Sequence, residues 1–329
     1  MKNILVSGVG GDIGQGVIHC LSKSLLPLNI YKVGSSRADA GLHFDERSFI
    51  IPPINDETYL DFLVDFLNRY KIDLYIPGVD GEIVFLSRSL ENINLHHQSK
   101  ILVDPLSAVE IADDKFITAE FLKKNNLPHP VSSSIKNHDD LNRFHSQING
   151  SFFLKARSGC GSKGLKLLDN PSDVESFIGN PKYMIQENIQ GEEYTAGLYK
   201  GNDNEIKGCV ILKRELKNGA TINAERILDS SIESQLRKIT LLLGLRYTNI
   251  QFKIRDGNVF PFEINSRFSG TTGIISSVFN GPEMAIRELL FNEKISPVVN
   301  CDKFHAMRYM TEVLCSDKDM KSLVGRKNL

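Results

Sequence analysis

The chain has 329 residues, 41% of them hydrophobic and 24% charged, with 39 Lys and Arg balancing 40 Asp and Glu for a net charge of −1. That length calls for two or three domains and can bury ordinary cores without disulfide or metal staples. The charge balance leaves no global basic field for nucleic acid or an anionic membrane, and five scattered cysteines without a CxxC pair argue against zinc and disulfide frameworks.

The opening MKNILVSGVGGD reads as a strand and turn, not a secretory signal, and no run approaches the roughly 18 apolar residues of a membrane helix. A cytoplasmic location without membrane contact is expected. From residue 1 to about 112, short apolar strands alternate with helical patterns. Strands are expected at Asn3–Ser7, Ile30–Val33, Leu74–Pro77 and Lys100–Val103, with helices at Ile13–Leu26, from Tyr59 to Tyr70, and at Glu82–Leu90. Strand, helix, strand in that order predicts a parallel sheet covered on both faces.

Beyond residue 113 the pattern changes. Asp113-Asp114 can cap a helix from Lys115 to about Lys124, which Pro128 and Pro130 stop. Strands near Val131–Ile135 and Phe152–Lys155 enclose a helix near Asp139–Gln147, and a polar Gly-rich loop runs from Ala156 to Gly164. Strands then dominate (Tyr194–Tyr199, Glu205–Leu212, Ile222–Leu228), followed by a helix at Ile232–Leu243 and a hairpin over 248–265. The expected division is 1–112, 113–190 and 191–315, with a charged, loosely held tail at 316–329.

Two glycine-rich segments invite chemistry. Gly8, Gly10 and Gly14 open a helix after a strand, as in dinucleotide-binding turns. The spacing is GxGGxxG, however, and the strand Tyr31–Arg37 lacks the acidic residue such sites place about 20 positions on. The alternatives are a purely structural turn and a nicotinamide site. In the second segment a strand ends in Lys155, and Ser158, Gly159, Gly161, Ser162, Lys163 and Gly164 follow. Successive amides in such a loop can cradle an anion, with lysine as a point charge. A solvated surface hairpin is the other reading.

The hairpin carries the sharpest local signal. Asp256-Gly257 separates two alternating segments. Burying Ile250, Phe252 and Ile254 with Phe260, Phe262 and Ile264 puts Gln251 on one face with Pro261, Glu263 and Asn265, and needs an odd loop with Gly257 in a bulge. Glu263 and Asn265, about 6 to 7 Å apart along a strand, offer hard oxygens suited to Mg²⁺ held jointly with phosphates. An exposed polar face is equally compatible. Lys213, Arg214, Glu225 and Arg226 lie between and could face an acidic substrate; solvated strand positions are the favoured reading for Arg214 and Arg226. Ser269–Gly273 offers a further anion cradle.

Taken together, these pieces resemble the ATP-grasp superfamily, in particular its carbamoyl-phosphate-synthase-like carboxylate–amine ligases. The matching stretches are Asp114-Lys115, Leu154–Gly164, Ile185–Thr195, and Asn249–Gln251 with Phe262–Arg267. The resemblance implies a Rossmann-like parallel-sheet domain that binds no dinucleotide, followed by a two-lobed ATP-grasp fold. It implies that Lys115 and Lys155 contact ATP phosphates and that Ser158–Gly164 closes as a lid. Gln186, Glu187 and the backbone through Ile189 would hold adenine, and Glu193 the ribose. Glu263 and Asn265, with Gln251 beside them, would ligate Mg²⁺ (Mn²⁺ being the alternative ion). Arg267 would act with Lys155 in catalysis by stabilising the transferring phosphoryl group. The expected partners are a small carboxylate and an amine, with a homodimer open. A nicotinamide-dependent oxidoreductase at Gly8–Gly14 and a nucleotide-binding protein without turnover are the competing functions. One such unit without a glutaminase does not fit full carbamoyl phosphate synthesis, and the histidine common in that branch has no evident counterpart.

Overall fold

The computed structural model describes residues 1–44, 46–159 and 164–325. The first region contains β1 (Lys2–Val6), α1 (Asp12–Ser22), β2 (Leu28–Gly34), β3 (Ser48–Ile50), α2 (Tyr59–Arg69), β4 (Leu74–Ile76), α3 (Asp80–Asn94) and β5 (Lys100–Ile101). The strands pair in parallel in the order β3-β2-β1-β4-β5. Strand alternation sends Ile4 and Val6 into one core and Leu5 into another, so each face of the sheet is buried. That explains why these strands read as unbroken apolar runs. The parallel sheet is as expected; β3 had no clear sequence signal.

The Gly8–Gly14 turn is packed shut by the protein itself. A side-chain carbon on Gly14 would lie 2.6 Å from the carbonyl oxygens of both Ser7 and Gly8. The Asp39 side chain fills the space beside Gly10 and Gly34. These glycines serve close approach between strand, helix and loop.

Two helices follow, α4 (Leu106–Asp113) and α5 (Lys115–Lys124), separated by Asp114. The Asp114 carboxylate caps α5, accepting from the amides of Phe116 and Ile117 at 2.9 and 3.2 Å. Arg157 grips the same carboxylate with its Nε and Nη2 at 2.9 and 2.6 Å. Next come β6 (Ser132–Ser134), α6 (His138–His145), β7 (Phe152–Ala156), β8 (Lys166–Leu168) and β9 (Tyr183–Glu187). They make an antiparallel sheet ordered β6-β9-β7-β8 over a core of Phe144, Phe152, Leu154 and Ile185.

A six-stranded antiparallel sheet is built from β10 (Tyr194–Lys200), β11 (Ile206–Lys217), β12 (Ala220–Ile227), helix α7 (Ser230–Leu243), β13 (Tyr247–Arg255) and β14 (Asn258–Asn265). Its order is β14-β13-β10-β11-β12-β15, where β15 (His305–Met307) arrives late in the chain. The hairpin differs from expectation in where its irregularity falls. Asp256 and Gly257 both have positive φ (51° and 73°), which makes a two-residue turn of the primed kind. The bulge lies instead at Phe262, where pairing shifts between Gln251↔Glu263 and Phe252↔Pro261. Val259 and Ile264, not Phe260 and Phe262, therefore join Ile250 and Phe252 in the core. Phe260 lies under the Arg255 guanidinium, 4.3 Å from its ring centre.

The chain then returns to the first sheet through α8 (Thr272–Ile275), α9 (Gly281–Leu290), β15 (His305–Met307) and α10 (Asp317–Gly325). Both α8 and α9 pack on α1. The Ser269–Gly273 loop, expected as an anion cradle, is folded onto itself: Ser269 N donates to Thr272 Oγ1 at 2.9 Å, and Arg308 donates to the Gly270 carbonyl. The tail expected to be loose forms α10 over its described part, with Leu323 buried in the core shared by Ile4 and Val6. Among the described residues no helix is long and apolar enough to cross a membrane.

Candidate functional site

A cavity of about 510 Å³ opens between the four-stranded and six-stranded sheets. A wider groove of about 930 Å³ borders Lys2, Lys71 and Lys100 at the other end of the parallel sheet, but Asp73, the carboxylate on its lining, is already paired with Lys2 at 2.8 Å. The smaller cavity sets carboxylates and cations opposite each other within one enclosure. Alternation along β7 sends Phe152 and Leu154 into the core and leaves Phe153 and Lys155 on the cavity wall. On the opposite wall, Ile250 and Phe252 are core while Gln251 and Lys253 face in. The bulge in β14 then places Phe262 and Glu263 side by side on that wall, where a regular strand would show only one of them.

Lys155 is buried, donating to Gln186 Oε1 at 2.6 Å and to the Phe262 carbonyl at 3.1 Å. Desolvation by burial, with the Lys115 charge adding to it and Glu263 opposing it, pulls its ammonium pKa down to about 7. Lys115, the first residue of α5, donates to the Gly159 carbonyl at 2.7 Å and so holds the start of the Gly-rich loop. Glu187 accepts from Arg255 at 2.6 Å and from the Val131 amide at 3.1 Å; Ile189 beside it is buried.

Lys115, Lys155, Ser158, Gly159, Gln186, Glu187, Ile189, Glu193, Gln251 and Glu263 thus all line one cavity. Three sequence candidates fall elsewhere. Gly164 is described but stands clear of the wall, with no atom within 4 Å of where a side chain would begin. Asn265 is reached through Glu263. Arg267 is paired with Asp80 at the start of α3 and donates Nη1 to the Phe268 carbonyl at 3.0 Å, tying the end of the hairpin to the first sheet. Gly161 and Ser162 lie outside the described residues.

The reading of Arg214 and Arg226 as solvated is overturned. Arg226 is 4% exposed and clamps the return segment, donating to Asn300 Oδ1, the Asn300 carbonyl and the Asp302 carbonyl at 2.6, 2.7 and 2.8 Å. Arg214 lines the cavity with a side chain 9% exposed, paired to Glu193 and donating to Gln251 Oε1 at 2.6 Å. Its place was readable in part: Val210 and Leu212 are buried on β11, and Arg214 continues the same face. Lys253, Phe153, Leu165 and Leu216 are further lining residues that spacing did not single out.

The carboxylate end fits a hard cation shared with a ligand. Glu263 Oε1 accepts from Gln251 Nε2 at 3.0 Å and from Asn265 Nδ2 at 3.2 Å, while Oε2 has no donor among the described residues. Gln251 departs from its expected role as a metal ligand. A guanidinium only donates, so the atom facing Arg214 is the amide oxygen, and the NH₂ group is turned to Glu263. Among the described residues no cluster of three His, Cys, Asp or Glu could hold an ion unaided. Mg²⁺ takes one or two carboxylates and completes its shell with phosphates and water.

Comparison with known proteins places these features in a family context. Residues 112–271 match the family model of the ATP-grasp domain. The carbamoyl phosphate synthase large chain of Agathobacter rectalis is 24% identical over 312 residues, covering 85% of this chain and 28% of that protein. The chain spans less than a third of the length of the curated relatives it matches. Among solved structures, N5-carboxyaminoimidazole synthetase from Staphylococcus aureus complexed with ADP superposes with a TM-score of 0.72 at 17% identity, covering 99% of this chain and 86% of that one. Biotin carboxylase from Campylobacter jejuni, in complex with β,γ-ATP, gives 0.68 at 14% identity, covering 87% and 70%.

Proposed function

From the match of residues 112–271 to the family model of the ATP-grasp domain, we propose that the protein is an ATP- and Mg²⁺-dependent ligase joining a carboxylate to an amine through an acyl-phosphate. The observation that carries this is the facing of Lys115 and Lys155 with Glu263 across one cavity of about 510 Å³. Phosphoryl transfer is promoted chiefly by positioning and charge neutralisation, and this wall supplies both.

On this reading Lys115 and Lys155 hold the phosphates, Ser158–Gly164 closes over them, and Glu193 receives the ribose hydroxyls. Gln186, Glu187 and the backbone to Ile189 form the adenine side. Glu263, with Asn265 beside it, holds Mg²⁺, which when bound screens the phosphate charge. A substrate carboxylate oxygen attacks the γ-phosphorus and ADP leaves. The amine nitrogen then attacks the acyl carbon, phosphate departs, and the nitrogen gives up a proton. Arg267, released from Asp80 or shared with it, would steady the phosphoryl group. Lid closure keeps water from the acyl-phosphate. Residues 1–112 serve as scaffold and substrate-side wall, with the lid carried by 113–190 and the metal side by 191–315.

The test is calorimetric titration of the intact protein with ATP plus Mg²⁺, beside NAD⁺ and NADP⁺, followed by a screen of acid and amine pairs for ADP release. Micromolar ATP binding that Lys155→Met weakens supports the reading. Dinucleotide binding without ATP binding overturns it.

A further inference from the structure

Arg214 occupies a position that the proposed chemistry does not use. It stands on β11, and its neighbours run across adjacent strands of the six-stranded sheet. Glu193 directly precedes β10, Gln251 is on β13, and Gln251 pairs with Glu263 on β14. Its backbone amide also donates to the Glu193 carbonyl at 3.1 Å, so the two residues are fixed to each other by main chain and side chain.

We propose that Arg214 is a positioning residue that couples the Glu193 end of the cavity to the Glu263 end by fixing the orientation of Gln251. The physical steps are few. Arg214 Nη2 donates to Gln251 Oε1 at 2.6 Å. With its oxygen engaged, Gln251 can only offer NH₂ to Glu263 Oε1, at 3.0 Å. Glu263 Oε1 is thereby committed and Oε2 is the oxygen left for a cation. The same guanidinium carries the charge that balances Glu193. Its Nε is buried and has no hydrogen-bond partner among the described residues. A ligand oxygen entering beside Glu193 would find that donor waiting. Whatever engages Glu193 therefore acts on Arg214, and through Gln251 on the oxygen that receives the metal.

This inference rests on the proposed nucleotide and metal sites and deepens them. Its signature is linkage: the factor by which Mg²⁺ tightens nucleotide binding. The experiment measures ADP affinity calorimetrically with and without Mg²⁺ in the intact protein and in Arg214→Met, Arg214→Lys and Glu193→Gln, with thermal melting as the fold control. Arg214→Met frees the Gln251 amide to turn, and the Mg²⁺ enhancement should fall about tenfold, within the usual range of coupling between sites. Arg214→Lys keeps a charge for Glu193 but lacks the fork that holds Gln251 as well, so its enhancement should fall between the two. Glu193→Gln made on top of Arg214→Met should add little further loss of coupling.

A purely structural arginine would weaken ADP equally with and without Mg²⁺. An unchanged enhancement factor in folded Arg214→Met therefore overturns the coupling while leaving the ligase reading intact. Wild-type protein that binds no ADP under either condition overturns the nucleotide reading itself, and the coupling with it.

Discussion

Two glycine-rich segments follow strands in this protein, and they do opposite things. At Gly14 the next atom outward would meet two backbone carbonyl oxygens at 2.6 Å; at Gly159 and Gly164 it would meet nothing within 4 Å among the described residues. The first turn spends its glycines on contact between the chain and itself. The second leaves Gly159 on the wall of a cavity and Gly164 clear of it, with φ of 102° and 77°. Similar composition is thus compatible with a closed joint and with glycines left uncrowded beside a cavity. Sequence spacing alone distinguishes them poorly, because the decisive quantity is what lies across the gap.

The sharpest way to break this comparison is at the open site's carboxylate. Glu263→Ala should lower Mg²⁺-dependent ADP release by about 10³-fold, on the order of 4 kcal/mol in the barrier, with melting little changed. A rate equal to wild type would remove Glu263 from the metal site. Next in size, Lys155→Met should weaken ATP binding about 10²-fold, ~2.7 kcal/mol, read by calorimetry. At the closed joint, Gly14→Ala should cost about 2 kcal/mol of folding stability in denaturant titration. The fraction that remains folded should bind ATP as before. A selective loss of ligand affinity there would mean the first turn is a site after all.

Hydrogen-ion dependence sharpens the contrast further. The Lys155 ammonium, held near pKa 7 by burial and by Lys115, loses its proton in the folded protein well before it would in the unfolded chain. Between about 7 and the ordinary lysine value the unfolded state binds more protons, so folding stability without ligand should rise with pH across that window. Nucleotide affinity should fall over the same range, as the phosphates lose a cation. Near pH 8, ATP binding should draw up to about one proton onto the protein, measurable by titration in buffers of different ionisation enthalpy. In Lys155→Met both trends should flatten. The smallest effect is expected at Gly159→Ala, about 1 kcal/mol from its positive φ, appearing in lid closure and ATP affinity more than in melting.

Much of the frame was legible because it depends on local pattern. The parallel sheet, the capped helix after Asp114, the strand ending in Lys155 and the Asp256-Gly257 hairpin follow from periodicity and turn chemistry. What escaped depends on register and reach. Alternation alone assigned Phe262 to the core, because a bulge one residue before Glu263 leaves no mark in composition. Arg214 looked like a solvated strand residue because its partners, Glu193 just before β10 and Gln251 on β13, lie far from it along the chain. The helix at 317–325 was masked by its charged surface, although Leu323 gives it a buried apolar anchor.

That anchor belongs to a larger fact with a consequence for how the chain is made. The core beneath β1 and β4 combines Ile4, Val6, Val17 and Leu74 with Phe268, Met284, Ile286 and Leu323. One face of the earliest sheet is therefore completed by residues that leave the ribosome some 190 to 320 positions later. Contacts so distant along the chain form slowly, and until they do the face of α1 and β1 stays uncovered. The N-terminal strands emerge first and mature last. Truncations that end before α9 should burden the cell's chaperones out of proportion to the length removed.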